Sequence, residues 1–376
     1  MGEIILVGSG WNSFLFRAEI NSLVGYDKII HPRLVTISND SNINNLSNAA
    51  LLDDILFNAK IINDYNISEK EISLLIHKWT ENNLPKGSFA IRTRKIGEET
   101  ISLSSSSIEK EAGELIVSRY NNVDLETPEH EIVVILAGLE DQAFHKNKSD
   151  ISKPVIIWGL RKKLPNKNKF ESRNPIERPF FKPVSLDARL ARLMISLSHK
   201  PDWFPKIIID PFCGTGGIAI EAIIQGIDIL ASDLDPVMVE GTHKNLVWSK
   251  GEGKHTVKKC SIDNIVQLWG RQEDCSFVFD PPYGRNSWKS DNGLDIFLQA
   301  LKAAHSINPN GTICTMLPTV PEFMLEEKSG KYLVMGKKWE EIESLINSTG
   351  WIVSLKYAIK VHRSLARLIL VCHPSH

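Results

Sequence analysis

The stretch Asp210-Pro211-Phe212-Cys213-Gly214-Thr215-Gly216-Gly217 decides how this chain folds. It follows an apolar run at 206–209 and precedes a helical pattern at 217–225, so it joins a strand to a helix. Glycines there let the backbone pass close to a ligand, and the helix start offers unpaired N–H groups. The next strand, 228–232, runs into Asp233-Leu234-Asp235. A carboxylate at that place accepts hydrogen bonds from both hydroxyls of a ribose. Together the loop and the acid point to a nucleoside-cofactor site, with Asp210, Phe212, Cys213, Gly214, Gly216, Asp233 and Leu234 as candidates. Cys213 reads as a packing residue of that loop, not as a nucleophile.

Working outward, the second half of the chain is regular from about residue 186. Helices are expected at 186–197, 217–225, 236–249, 294–305 and 339–348, and strands at 206–209, 228–232, 255–260, 275–279 and 312–317. Strands alternating with helices predict an α/β, Rossmann-like domain around a parallel sheet. Two closing strands, 352–359 and 365–371, are separated by a short turn and should pair antiparallel.

The strand at 275–279 ends in Asp280-Pro281-Pro282-Tyr283-Gly284. This turn suits the holding of a planar amine. The acid and a free carbonyl accept its N–H bonds, and the aromatic ring stacks on its face. The prolines stiffen the turn and donate no N–H of their own.

The first half reads differently. A short strand after Gly2 and a helix near 14–23 open it, and 48–62 and 67–80 have a helical pattern. Residues 88–95 alternate with period two, placing Phe89 and Ile91 on one face and Arg92 and Arg94 on the other. A serine run, Ser104 to Ser107, precedes a helix at 108–119, and a strand is expected at 131–137. Between 161 and 182 the chain is rich in cations: Arg161, Lys162, Lys163, Lys167, Lys169, Arg173, Arg178 and Lys182 face only Glu171 and Glu177. Asn and Pro punctuate this stretch, which reads as a basic linker, either a solvated tether or a phosphate contact. The expected organisation is 1–46, 47–160, a linker at 161–184, and 185–376.

Composition excludes several classes. The chain has 376 residues, enough for two or three domains, and is 42% apolar. No run approaches the roughly 20 apolar residues of a membrane helix. The N-terminus lacks the zones of a signal peptide. Five cysteines, none spaced as CxxC, suggest neither a disulfide framework nor a zinc site. A reducing, cytoplasmic setting fits. The net charge of −1 argues against a uniform basic coat and leaves room for local basic patches.

A nicotinamide enzyme would want G-x-G-x-x-G, but here the third glycine is misplaced. Asp210 at the front of the loop would repel a pyrophosphate, whereas it can bond an ammonium. With Asp280 at the end of the fourth strand, the pattern resembles the S-adenosylmethionine-dependent methyltransferases. The dehydrogenase alternative leaves the Asp-Pro-Pro-Tyr turn without a role. After the third strand, either Asp263 or Ser261 stands where this family contacts adenine.

Flanking segments narrow the resemblance. Arg178-Pro179-Phe180-Phe181-Lys182-Pro183-Val184-Ser185-Leu186, with Ala191-Arg192-Leu193-Met194, is similar to the lead-in of the archaeal tRNA guanosine-10 N2-methyltransferases. Val361-His362-Arg363-Ser364-Leu365-Ala366-Arg367 resembles their C-terminal hairpin. Phe89-Ala90-Ile91-Arg92 and Val123-Asp124-Leu125-Glu126-Thr127-Pro128-Glu129 resemble a THUMP RNA-binding domain. The resemblance implies a ferredoxin-like start, a THUMP domain gripping tRNA, and a catalytic domain that methylates a guanosine N2 once or twice. Relatives acting on guanosine 6 more often carry Asn where Asp280 stands, which favours position 10. The resemblance also implies S-adenosylmethionine as cofactor and tRNA as partner, with no metal, no membrane and a monomeric chain.

The expected chemistry follows. The target base leaves its stack. Tyr283 stacks on it, while Asp280 and the Pro281 carbonyl accept N2–H bonds and Pro282 stiffens the turn. Transfer is an in-line displacement in which positioning dominates. Candidate RNA contacts are Arg92, Arg94, Arg161, Lys162, Lys163, His362 and Arg363; His362 could equally cap its turn. Competing readings are N2-methylation of guanosine 6 of tRNA or of an rRNA guanosine, a DNA adenine methyltransferase, a protein-glutamine methyltransferase, and an RNA-binding protein with an inactive catalytic domain.

Overall fold

The computed structural model describes residues 2–63, 66–97, 101–140, 153–162, 170–183, 185–282, 292–320, 322–323, 333–362 and 365–375. Two compact units form: Met1–Ser47 with Leu51–Pro165, and Asn48–Ala50 with Asn166–His376.

The first unit contains β1 (Glu3–Gly8), α1 (Ser13–Leu23), β2 (Lys28–His31), β3 (Leu34–Ile37), β4 (Leu52–Ile62), α2 (Glu69–Asn83), β5 (Gly87–Ile96), α3 (Ser105–Ile116), β6 (Asn121–Val123), β7 (His130–Ala137) and β8 (Val155–Arg161). These strands form one sheet, ordered β2-β3-β1-β4-β8-β7-β5-β6. The sheet runs on across residue 46, where a boundary between two regions was expected. β5 pairs parallel with β6 and β7, and the remaining pairs are antiparallel. Helix starts follow their local signals. Ser68 and Glu71 close a capping box on α2, and the Ser104 side chain accepts from the Ser107 amide at the head of α3. Ile72 and Ile76 of α2 and Ile108 and Ala112 of α3 pack over Phe89, Ile91, Ile132 and Val134.

The helix expected at 48–62 is not formed: Leu52–Ile62 is the long strand β4, paired on both edges. The reason is local. Asn58 has φ +50°, and the register of β4 shifts beside it against both β1 and β8. A bulge breaks the period of two, so a doubly covered strand takes on a spacing that imitates a helix.

The second unit contains α4 (Ala188–Leu197), β9 (Ile207–Asp210), α5 (Gly217–Ile224), β10 (Asp228–Asp233), α6 (Pro236–Ser249), β11 (His255–Lys259), α7 (Ile265–Trp269), β12 (Cys275–Phe279), α8 (Asn292–Ile307), β13 (Ile313–Thr319), α9 (Trp339–Asn347), β14 (Trp351–His362) and β15 (Leu365–Pro374). Its sheet is ordered β11-β10-β9-β12-β13-β15-β14. β9 to β13 are parallel, and β15 runs antiparallel to both β13 and β14. On one face Phe277, Phe279, Ile313 and Leu370 pack under Phe297 and Leu301 of α8 and Ile342 and Ile346 of α9. Ser276, which alternates to the other face, donates its hydroxyl to the Ser198 carbonyl just beyond α4. Among the described residues no helix is long and apolar enough to cross a membrane.

The expected basic linker departs from its description at three places. Arg173 and Arg178 are buried, not solvated. Arg178 donates to the carbonyls of Arg173 and Leu186, and Phe180 lies on α6, where its amide and carbonyl both bond the Asn245 side chain. A Cβ on Gly241 would come within 2.0 Å of the Phe180 ring, so the glycine makes this contact possible. Arg173 and Arg192 meet on Glu221, at 2.6 and 2.8 Å, and Glu221 and Arg192 are fully buried. The lead-in segment is therefore part of the second unit's core.

Removing one member of such a group leaves charge buried without its partner. Glu221→Ala should lower stability by roughly 3–5 kcal/mol. Urea unfolding followed by near-UV circular dichroism checks this; a loss within experimental error would show that the arginines are held by other groups.

Candidate active site

Three carboxylates reach one cavity because their strands are neighbours. β10, β9 and β12 lie side by side and parallel, and end in Asp233, Asp210 and, one residue later, Asp280. The cavity measures about 800 Å³ and is lined on its acidic side by Asp210, Asp233, Asp235, Asp263 and Asp280. Among the described residues Arg367 is the one cation in that lining.

Asp210 is buried, and its Oδ1 accepts from the Phe212 amide at 3.0 Å. Burial, and then the nearby Asp233 and Asp280, push its carboxyl well above the usual range. The loop beyond it is held at several points. The Cys213 amide donates to Ser232 O, the Gly216 amide donates to Cys213 O, and Thr242 Oγ1 donates to Gly214 O at 2.8 Å. Gly216 caps α5 in the left-handed region, φ +79°, and a Cβ there would meet Thr242 at 2.9 Å. Gly216, expected at the ligand, is absent from the cavity lining and serves the loop's packing against α6.

Asp233 is oriented by two backbone donors. The Gly214 amide donates to its Oδ2 and the Asp235 amide to its Oδ1, both at 2.9 Å. Each oxygen keeps a lone pair for a further donor. Leu234 is 67% exposed at the rim, with Met238 and Ile262 also in the lining. Ser261 and Asp263 both face the cavity, so the choice between them stays open. The Phe212 ring meets Phe279 edge-on at 5.7 Å and thereby ties the loop to β12. Cys213 is buried, and desolvation raises its thiol far above the ordinary range, consistent with packing.

At Asp280 the Oδ2 atom accepts from Arg367 Nη1 at 2.9 Å, while the buried Oδ1 has no hydrogen-bond partner among the described residues. Burial raises the carboxyl to about 6, and Arg367 acts in the opposite direction. Pro281 and Pro282 line the cavity beside it. Tyr283 lies outside the described residues. Arg367 was assigned no role from sequence. Its signal was available: a cation standing just before the buried run Leu368 to Cys372.

The expected RNA contacts are scattered. Arg94 pairs with Asp53 at 3.8 Å and with Asp54. Arg161 pairs with Asp54 and Glu131, both at 2.7 Å. Arg92 donates to the Leu125 carbonyl. These three side chains thus already have partners within the first unit. Lys162 is exposed. The His362 side chain, Lys163 and Arg363 lie outside the described residues. Unremarked in the sequence, exposed Tyr120 is flanked by Lys86 and Arg119, each 4.4 Å from the ring centre. No group of three or more His, Cys, Asp or Glu suited to a metal occurs among the described residues.

The donor set fits S-adenosylmethionine. Its ammonium and sulfonium charges suit an acid-lined cavity, and its ribose suits the oriented Asp233; a pyrophosphate would meet repulsion. The volume lies in the range of small-molecule sites.

Residues 175–331 match the UPF0020 family, described as an RMKL-like methyltransferase domain. The chain is 31% identical over 287 residues to a tRNA (guanine(10)-N2)-dimethyltransferase of Methanothermobacter thermautotrophicus, covering 76% of this chain and 72% of that one. It is 28% identical over 324 residues to the protein of that name from Methanocaldococcus jannaschii, covering 83% and 77%. Among solved structures, TrmN from Thermus thermophilus aligns over 99% of this chain and 100% of its own, with 15% identity and a TM-score of 0.49. The extent and level of the match to the Methanothermobacter protein place the chain in the tRNA (guanine(10)-N2)-dimethyltransferase family.

Proposed function

We propose that this chain transfers methyl from S-adenosylmethionine to the exocyclic N2 of guanosine 10 in tRNA, and that a second transfer to the same nitrogen gives the dimethyl product. The observation that carries the reading is the Asp280-Pro281-Pro282 turn opening into the cavity that holds the oriented Asp233. Membership of the family supports the substrate and the position.

S-adenosylmethionine, when bound, supplies an electrophilic methyl on a sulfonium sulfur. Asp233 would take the ribose hydroxyls, and Leu234, Met238 and Ile262 would offer apolar surface to the base. Asp210 would face the cationic end. Asp280 and the Pro281 carbonyl would accept the N2–H bonds of the guanine, with Tyr283 stacked on the ring. The amine lone pair is delocalised, so these acceptors favour a pyramidal nitrogen. Once methylated, that nitrogen sheds its proton readily, and Asp280 is the nearest acceptor on this reading. We read residues 47–160 as a THUMP domain behind a ferredoxin-like start, with the Lys86–Tyr120–Arg119 stack as a surface for RNA.

Asp280→Ala should reduce the single-turnover rate by roughly 10²–10⁴-fold while leaving calorimetric S-adenosylmethionine binding almost unchanged. Wild-type turnover in that variant would refute the assignment. Asp233→Ala should instead weaken cofactor binding, by about tenfold or more, through loss of charge-assisted hydrogen bonds. An unchanged Kd would place the ribose elsewhere. Because the ionised form of Asp280 is the acceptor and its carboxyl is raised to about 6, the rate should climb through that pH and level off above it. A rate that is flat from pH 5 to pH 8 would remove Asp280 from the proton accounting. Mass spectrometry of tRNA treated with the enzyme reads both position and methyl count; a product at any nucleotide other than guanosine 10 would overturn the positional assignment.

A further inference from the structure

We propose that Arg367 is a positioning residue of this active site: by holding Asp280 Oδ2 it keeps the carboxylate ionised and leaves Oδ1 to accept from the substrate amine. The inference rests on the reading of Asp280 as the amine acceptor and adds the device that sustains it.

The geometry has three parts. Arg367 sits on β15 opposite Pro318 of β13, where the antiparallel strand passes beside the C-terminal ends of the parallel ones. Its Nη1 reaches Asp280 Oδ2 at 2.9 Å, across 87 residues of sequence. Both side chains are largely enclosed, 22% and 17% exposed, so solvent screens the pair weakly. Second, the other oxygen, Oδ1, is buried without a hydrogen-bond partner among the described residues. A buried oxygen of that kind is costly, and a substrate N–H would satisfy it. Third, every other charged group in the described lining is acidic: Asp210 on β9, Asp233 and Asp235 at β10, and Asp263 after β11.

The balance of charge therefore falls on one guanidinium. Burial favours the neutral acid, and Arg367 is the counterweight that lowers the Asp280 carboxyl. Without it, burial would act on Asp280 unopposed and favour the protonated form. A protonated carboxyl has an O–H to donate and presents a poorer acceptor to an amine. The pair is also rigid on both sides, since the carboxylate follows a strand and the guanidinium is carried by one.

The test compares the parent with Arg367→Gln and Arg367→Lys. Aspartate labelled with ¹³C at the carboxyl carbon reports the Asp280 titration directly, its resonance assigned by Asp280→Asn. In Arg367→Gln the midpoint should rise by about one pH unit or more, as expected for loss of an opposite charge in contact. The acidic limb of the single-turnover rate should move with it, so the deficit is largest at low pH and narrows as pH rises. Arg367→Lys keeps the charge and should leave the midpoint near that of the parent, even where rate is lost to poorer geometry. An unmoved midpoint in the Gln variant, or a deficit equal at every pH, would overturn the proposal. So would a Lys variant whose midpoint shifts as far as that of Gln. Full turnover in Asp280→Ala would sink the underlying reading instead. An inactive Asp280→Ala beside a pH-independent Arg367→Gln deficit would sink this inference alone.

Discussion

Like charges confined to one cavity set the terms for the catalytic unit. Parallel neighbours β10, β9 and β12 bring Asp233, Asp210 and Asp280 together because each strand ends on the same side of the sheet. Carboxylates so placed repel one another, and burial penalises the ionised forms of Asp210 and Asp280. The structure answers this differently at each. Asp233 is held by two backbone amides, Asp280 by a guanidinium, and Asp210 by one amide while its carboxyl is driven upward. The remaining negative potential is what a cationic ligand would neutralise. Much of the surrounding construction serves this arrangement. Thr242 fixes the glycine loop, Phe212 braces it on β12, and β15 delivers Arg367.

The same antiparallel strand explains why the sheet ends as it does. β15 inserts between β13 and β14 and runs opposite to the cofactor-bearing strands. Its N-terminal end therefore arrives where the parallel strands end. A residue early in β15 can meet a residue just past β12, as Arg367 meets Asp280. The closing hairpin thus supplies chemistry to the site as well as covering an edge.

The parallel half was legible in sequence for physical reasons. Short strands alternate with helical patterns along this half, and α6 and β12 fall on their expected residues. Asp210, Asp233 and Asp280 were visible because strand ends are where such a sheet binds ligands. What escaped depends on contacts distant in sequence. β4 imitated a helix through its bulge at Asn58. Arg173 and Arg178 looked solvated in a basic run, and only the fold shows Glu221 and the carbonyls that receive them. Arg94 and Arg161 looked available to RNA, and Asp54 lies between them. Arg367 is the sharpest case, since no local pattern links it to an acid 87 residues away.

A carboxyl near 6 suits the reaction proposed for it better than an ordinary aspartate would. Guanine N2 is a weak nucleophile that needs a strong acceptor on its N–H, then a base for the proton released after methylation. An ordinary aspartate, titrating near 3.8, is ionised but holds a proton feebly. A buried aspartate without a counterion would hold one too well and would enter the reaction already protonated. Burial and Arg367 pull in opposite directions and leave Asp280 between these limits, ionised at neutral pH yet about a hundredfold better at holding a proton. A family enzyme that methylates one nitrogen twice would meet the same requirement in both rounds, because the monomethyl product retains one N–H to be held and lost. Asp280 would have to give up the first proton to solvent before it accepts the second, and a carboxyl near 6 does so at neutral pH.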